Sequence, residues 1–364
     1  MREFCGLLPK ELGVCLDKQS IAPYRLKQLY DWVYKKGVTQ YQEMTNLSRP
    51  LRDFFEEHFK LGVLTAEKIE ESDDGETTKF LWRLLDNQNV ESVLIRSEKR
   101  RTVCVSSQVG CPARCAFCAS GQNGLIRNLT VAEIIEQVVQ IHSHLLKEGE
   151  RVTHVVFMGM GEPLENYDAV VRALKILIDP ELFALSSRRI TVSTVGVVPN
   201  IERLLEEGLN VNLALSLHAP NQHLRKKIVP YARKFHIEDV LKAARLYAQK
   251  TKRDITYEYV MLAGVNDRQE DAKELCILLK NEHCCVNLIP FNPISGVHLK
   301  RPKKESIELF RSILSEGGIR STWRYTKGKD IAAACGQLAL KQKRLSNLHE
   351  NPYKESQKTL ANCE

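Results

Sequence analysis

Three cysteines in the run Cys111-Pro112-Ala113-Arg114-Cys115-Ala116-Phe117-Cys118 sit so close that one short loop can aim three thiolates at one point. The group this suits is an iron–sulfur cube. A 4Fe-4S cluster has four corner irons, so a loop supplying three sulfurs leaves one iron open to a non-protein ligand. Closed structural zinc sites take four ligands, usually in Cys-x-x-Cys pairs, and neither a second pair nor a His-x-x-x-His follows here. Bridging the three thiols among themselves would leave one over.

The loop has to be held by the elements around it. Short β-rich runs alternate with amphipathic helices: strand candidates at 102–106, 152–158, 189–193, 211–217, 254–261 and 285–290, with helices such as 131–146, 167–177 and 269–279 between them. Six strands separated by helices imply parallel βαβ units, hence an open doubly wound sheet or an incomplete (β/α) barrel. Either architecture places its site beyond the carboxyl ends of the strands. The polar strand-end residues fit that placement: Gly159-Met160-Gly161-Glu162-Pro163 after the second strand, Ser193-Thr194 at the third, Ser216-Leu217-His218 at the fourth and Asn292 after the sixth. All would surround the cysteine loop, which follows the first.

Upstream, 21–58 reads as short helices stopped by Gly37, with Pro50 in a first turn and Leu51, Phe54, Phe55 and Phe59 on a buried face. The stretch 79–96 alternates about a polar Asp86-Asn87-Gln88-Asn89 turn, which is a hairpin pattern. The expected organisation is a helical accessory domain at 1–64, a β-hairpin extension at 65–101, the main α/β domain at 102–338 and a flexible polar tail at 339–364.

A chain of 364 residues, 43% hydrophobic and 27% charged, can bury one large core and a smaller domain beside it. No apolar run approaches a membrane span and the start lacks the stretch of a signal peptide; with eleven cysteines, this points to a reducing, cytoplasmic setting. The 53 Lys and Arg against 45 Asp and Glu leave a net charge of +8, which suits nucleic acid as a partner. Candidate phosphate contacts are Lys99-Arg100-Arg101, Arg188-Arg189, Arg225-Lys226-Lys227 and Lys300-Arg301 with Lys303-Lys304.

The Cys-x-x-x-Cys-x-x-Cys spacing with an aromatic before the last cysteine resembles the signature of the radical SAM superfamily, whose clusters bind S-adenosylmethionine (SAM) at the open iron. Such a ligand needs a partner for its ammonium, polar groups for its ribose and apolar contact for its adenine. Glu162 can take the amino group, Ser193, Ser216 and Asn292 the polar edges, the backbone around Gly159–Gly161 can approach closely, and Leu217 and His218 complete the candidate set.

The whole chain to Leu338 is similar to a narrower family, the radical SAM adenosine methyltransferases of the RlmN/Cfr type. Carrying the likeness are Met44-Thr45-Asn46-Leu47-Ser48, Cys104-Val105-Ser106-Ser107-Gln108-Val109-Gly110-Cys111, Gly159 through Asn166, Thr191-Val192-Ser193-Thr194-Val195-Gly196, Leu215-Ser216-Leu217-His218-Ala219, Ile289-Pro290-Phe291-Asn292-Pro293 and Ala334-Cys335-Gly336-Gln337-Leu338. The resemblance implies an incomplete (β/α)6 radical SAM barrel with Cys111, Cys115 and Cys118 on a 4Fe-4S cluster, and two SAM molecules per turnover. One methylates Cys335; the other yields a 5′-deoxyadenosyl radical that removes hydrogen from the S-methyl group, and the resulting carbon adds to an adenine ring. Cys104 is then the thiol that resolves the adduct through a transient disulfide, and Glu91 the base that takes the ring proton. The implied reaction is methylation of adenosine C2 in 23S rRNA and tRNA, with C8 of 23S rRNA adenosine as the alternative. Expected partners are these RNAs, with Lys27, Lys35 and Lys36 gripping them, and an electron donor of flavodoxin or ferredoxin type, the protein being monomeric. Cys5, Cys15, Cys276, Cys284, Cys285 and Cys363 match no family motif.

Overall fold

Strand order separates the two architectures left open by the alternation. In a computed structural model of the chain, which describes residues 1–17, 21–323 and 327–339, one ten-stranded sheet runs through the molecule in strict chain order. Its first part is antiparallel: β1 (Thr65–Glu71), β2 (Thr77–Arg83) and β3 (Asn89–Ser97) lead into β4 (Arg100–Cys104). From there every pairing is parallel, through β5 (His154–Phe157), β6 (Ile190–Thr194), β7 (Asn212–Ser216), β8 (Ile255–Met261), β9 (Cys284–Pro290) and β10 (Ser321–Trp323). A doubly wound sheet reverses its order at a switch point. Here the order never reverses, so right-handed crossovers put the helices on one face and the sheet curls around the other. Among the described residues β1 and β10 do not pair, so the barrel is incomplete.

Two strands of this sheet escaped the sequence reading. β1 is charged and exposed along almost its whole length, with Glu67, Lys68, Glu70 and Glu71 in seven residues. That is how an edge strand avoids pairing with another chain, and it erases the apolar alternation by which a strand is recognised. β10 has only three residues, too few to show a period. The helix between β4 and β5, α1 (Val131–Leu146), keeps its expected bounds because Thr130 and Glu133 form a reciprocal capping box at its start.

The N-terminal helices Pro9–Asp17, Pro23–Tyr30 and Arg49–His58 enclose an aromatic cluster of Phe4, Tyr30, Tyr34, Tyr41 and Phe55. This layer is fastened to α1 by Glu136, whose carboxylate accepts the N–H groups of Gly62, Val63 and Leu64 at 2.9, 2.6 and 3.1 Å. Among the described residues no helix is long and apolar enough to cross a membrane. Of the expected flexible tail at 339–364, Ala339 is described and donates its N–H to Glu91, and the rest lies outside the described residues.

Candidate active site

The cysteine loop is the connection of a small antiparallel hairpin, Gln108–Gly110 with Leu125–Asn128, rather than a free excursion from β4. Its mouth is shut by backbone contact: Cys111 donates its N–H to the Gly124 carbonyl at 3.0 Å. Gly110 has φ +79°, and a Cβ there would lie 2.0 Å from the Gly124 oxygen, so only glycine allows the closure. On the far side Ala116 donates to the Ile228 carbonyl at 2.9 Å, tying the loop to the helix Gln222–Ile228. Phe117 packs edge-on to the His218 ring at 4.7 Å, which gives the aromatic before the last cysteine a structural task.

Burial pushes the Cys111 thiol up to about 12, and raises Cys115 and Cys118 as well, with Cys118 adding like-charge repulsion to the other two. Such thiols ionise only against a strong positive charge, the condition a metal centre supplies. No three His, Cys, Asp or Glu side chains among the described residues converge as closely as a single ion requires. The triad instead lines one shared cavity, open to solvent, which suits a cluster with its own bulk better than one tetrahedral ion.

Most of the predicted strand-end residues line that cavity: Gly161, Glu162, Ser193, Ser216, His218, Asn292 and Cys335, with Val195, Val260 and Ile289 among its apolar walls. Glu162 accepts N–H bonds from Leu164 (3.0 Å) and Val195 (2.8 Å). Burial outweighs those bonds and pushes its pKa up to about 7, leaving a carboxylate that a cationic ligand would favour. The Ser193 and Ser216 hydroxyls stand 3.5 Å apart on neighbouring strands. His218 accepts the Val260 N–H at Nδ1 (3.0 Å), and its pKa, lowered by burial and then by Arg225 to about 3, keeps it neutral. Gly161 has φ +106°, and a Cβ there would lie 2.7 Å from that of Gln108, so its close approach is to the chain leading into the cysteine loop. Leu217 is fully buried; its carbonyl accepts from Arg225 at 3.1 Å.

Cys335 is exposed on the loop 327–339 at the cavity edge. Asn292 donates to its carbonyl at 3.2 Å, and Ala119 of the cysteine loop donates to the Gly336 carbonyl at 2.8 Å. Ser120 Oγ reaches the Leu338 carbonyl at 2.6 Å, and Gln337 the Pro293 carbonyl at 3.1 Å. Asn292 thus lines the cavity and also touches the Cys335 loop, and its Oδ1 accepts from Arg301 at 3.1 Å. Cys104, at the end of β4, and Glu91, on β3, are both buried and do not line the cavity. The Glu91 carboxylate lies 3.5 Å from Lys79 Nζ and accepts the Ala339 N–H at 3.0 Å, so it grips the same loop from behind.

Sequence reasoning missed Glu258, which lines the cavity from β8 and accepts from Asn287 Nδ2 at 2.6 Å. The signal was there: a carboxylate between Tyr257 and Tyr259 in an otherwise buried strand. The basic clusters also need correcting. Arg225 is fully buried and cannot touch a phosphate, Arg101 is paired with Glu150, and Arg301 faces Asn292; Lys226, Lys227, Lys300, Lys303 and Lys304 remain exposed.

Comparison with known proteins agrees with this geometry. A family model described as Radical SAM superfamily matches residues 105–276, and one described as Ribosomal RNA large subunit methyltransferase N-terminal domain matches residues 3–61. A Protochlamydia amoebophila protein named "Probable dual-specificity RNA methyltransferase RlmN 2" is 59% identical over 320 residues, 88% of this chain and 89% of that protein. A Thermotoga maritima protein named "Probable dual-specificity RNA methyltransferase RlmN" is 43% identical, covering 94% of this chain and 98% of its own length. The crystal structure of a radical SAM methyltransferase from Sphaerobacter thermophilus superposes with a TM-score of 0.91 at 44% identity, covering 93% of this chain and 99% of that one.

Proposed function

Since the chain belongs to the RlmN family of radical SAM RNA methyltransferases, we propose that it methylates C2 of adenosine in 23S rRNA and in tRNA, in the cytoplasm, through a methyl group carried on Cys335. Its cofactors are a 4Fe-4S cluster and SAM. The observation that carries the reading is the seating of Cys335 at the edge of the cavity that Cys111, Cys115 and Cys118 line.

Cys111, Cys115 and Cys118 hold the cluster, Glu162 takes the ammonium of SAM, and the Ser193 and Ser216 hydroxyls meet its ribose. Bound there, cluster and SAM supply first a methyl cation equivalent and then a hydrogen-abstracting radical, the electron coming from a flavodoxin- or ferredoxin-type donor. Adenine C2 is electron-poor, so an electrophilic methyl donor finds no nucleophile there, whereas a carbon radical on the Cys335 sulfur can add. The adduct first gives up the ring proton to Glu91 and one electron to the electron-donor system. Cys104 then attacks the Cys335 sulfur, the carbon–sulfur bond breaks as the disulfide forms, and the released carbon is protonated to the methyl group as the RNA leaves. Because Glu91 holds the Ala339 N–H, its task as a base requires the loop to yield at that bond.

The test is anaerobic reconstitution with iron and sulfide, reaction with SAM, reductant and 23S rRNA fragment or tRNA, and mass spectrometry of the digested nucleosides. The expected product is 2-methyladenosine from both RNAs, with 5′-deoxyadenosine; 8-methyladenosine would overturn the C2 assignment. With Cys104→Ala a covalent enzyme–RNA adduct should accumulate, and normal turnover by that variant would remove Cys104 from the scheme.

A further inference from the structure

We propose that Arg225 is the buried counter-charge of the cluster, a cation built into the barrel wall that raises the reduction potential of the group held by Cys111, Cys115 and Cys118. This rests on those three cysteines being the cluster ligands.

The starting observation is an arginine where an arginine is costly. Arg225 sits between the exposed Lys226 and the buried Leu217 strand end, on the helix Gln222–Ile228, and is 0% exposed. Its guanidinium donates only to backbone carbonyls: Nε to Leu217 (3.1 Å), Nη2 to Val195 (2.6 Å) and to Ser216 (3.1 Å). Nη1 is buried and has no hydrogen-bond partner among the described residues. None of the ion pairs among the described residues involves it; the carboxylates of the cavity are engaged elsewhere, Glu162 by Leu164 and Val195, Glu258 by Asn287. A buried charge without a counter-charge is strongly unfavourable, and such charges are retained where they are paired.

The carbonyl contacts do not account for the charge. They tie the ends of β6 and β7 to the helix, a task that a neutral amide donor could share. What the neutral donor lacks is a positive charge, and the group placed to use one is the cysteine loop. The helix is bound to that loop through the Ala116 N–H and the Ile228 carbonyl, 2.9 Å apart. Val195 and Ser216, whose carbonyls hold the guanidinium, line the same cavity as the three cysteines. An arginine side chain stays cationic at neutral pH.

Three thiolates around an iron–sulfur core make an anionic group, and reduction adds one further negative charge. A fixed cation in a low-dielectric wall stabilises the reduced form more than the oxidised form, which moves the potential upward, while Nη1 is the donor left over for a cluster or cysteine sulfur. The reaction begins with one electron passing from a low-potential donor to the cluster, so this is the step the charge eases.

The test compares Arg225→Gln and Arg225→Lys with the wild-type protein, each reconstituted anaerobically and assayed for iron, sulfide and thermal melting. Cluster reduction is then followed by electron paramagnetic resonance (EPR) during a dithionite titration without SAM. For Arg225→Gln, the ratio of reduced to oxidised cluster at a fixed potential should fall about tenfold, a midpoint ~59 mV more negative for a one-electron couple. Arg225→Lys, which keeps the charge, should restore most of the difference. Arg225→Gln with full iron and sulfide and an unchanged midpoint overturns the proposal.

If Arg225→Gln does not hold a cluster, wild-type and Arg225→Lys proteins labelled with guanidino-¹⁵N arginine decide the matter, since the labelled side chain that differs between them is Arg225. A ¹⁵N hyperfine coupling to the reduced cluster that is present in the wild type and lost in Arg225→Lys supports the role, and identical spectra overturn it. Wild-type protein that binds no iron would instead sink the ligand assignment beneath the proposal, and the proposal with it.

Discussion

Two cysteine-bearing loops meet at the cavity, and they differ in how much of the holding falls to side chains. The loop of Cys111, Cys115 and Cys118 is closed by backbone, with Gly110 against Gly124 and the Cys111 N–H on the Gly124 carbonyl. The Cys335 loop has backbone bonds of its own, such as the Ala333 N–H on the Gly328 carbonyl, but leans in addition on side chains of Asn292, Ser120 and Glu91, with its own Gln337 and Lys327 reaching out to the Pro293 and Arg96 carbonyls. Backbone closure leaves one conformation and buries its thiols; side-chain tethers can be released one at a time, and Cys335 is exposed. The difference suits the two tasks. A cluster must stay put, whereas a thiol that collects a methyl group from one partner and delivers it to another needs to move.

The largest expected effect breaks the rigid side. Gly110→Ala forces a side chain to within 2.0 Å of the Gly124 carbonyl at a φ of +79°. The backbone strain alone costs about 1–3 kcal/mol, and the clash adds to it. Iron and sulfide content should collapse, and methylation with it. Cys335→Ala makes the contrast: cluster content and the reduced EPR signal should stay at wild-type levels while RNA methylation is lost. Loss of iron in Cys335→Ala would show that the two loops are one structural unit and dissolve the comparison.

A smaller effect is expected where the tether alone is cut. Asn292→Ala removes the bond to the Cys335 carbonyl and the one from Arg301. At about 0.5–1.5 kcal/mol for the neutral bond and about 1.5–3 kcal/mol for the charged one, methyl transfer should slow roughly thirtyfold or more. Iron content and SAM affinity should not change. A fall in SAM affinity equal to the fall in rate would mean that Asn292 serves the ligand directly, as the sequence reading had it.

Asn292 marks how far the sequence was legible. The triad could be picked out by its spacing, and Glu162, Ser193 and Ser216 because strand ends converge in any parallel βα fold and polar types at those ends have few other reasons to be there; the role of Cys335 came from the family resemblance. Side-chain type does not reveal direction. Asn292 is polar and at a strand end, yet points its amide at a carbonyl of the chain; Leu217 follows Ser216 and is turned into the core. Arg225 stands next to Lys226 and Lys227 and reads as part of a basic surface, but on a helix one residue of rotation separates solvent from the barrel wall. Glu258 was passed over because it lies inside a strand candidate rather than at its end. The roles of Cys104 and Glu91 came from the family resemblance alone, since nothing in their local spacing points to the cavity.

The smallest effect concerns pH and tests whether the rigid side works without the tethered one. Burial raises the Glu162 pKa to about 7, above the ~4.3 of an exposed glutamate. For folding, this means that its contribution is fully present below ~4.3 and lost as pH rises through about 7. For ligand binding the sign is reversed, because an ammonium favours the ionised carboxylate. SAM affinity should weaken by up to about tenfold per unit below pH 7, improve about twofold from pH 7 to pH 8, and level off above. Calorimetric titration of cluster-loaded protein across that range should show the slope in the wild type and flatten it in Glu162→Gln. The same slope should survive in Asn292→Ala, because Glu162 is fixed by the N–H groups of Leu164 and Val195 and not by the Cys335 loop. A slope that changed with Asn292 would mean that the tethered loop helps set the charge at the ammonium site, and that the two regions are coupled through the ligand rather than merely adjacent.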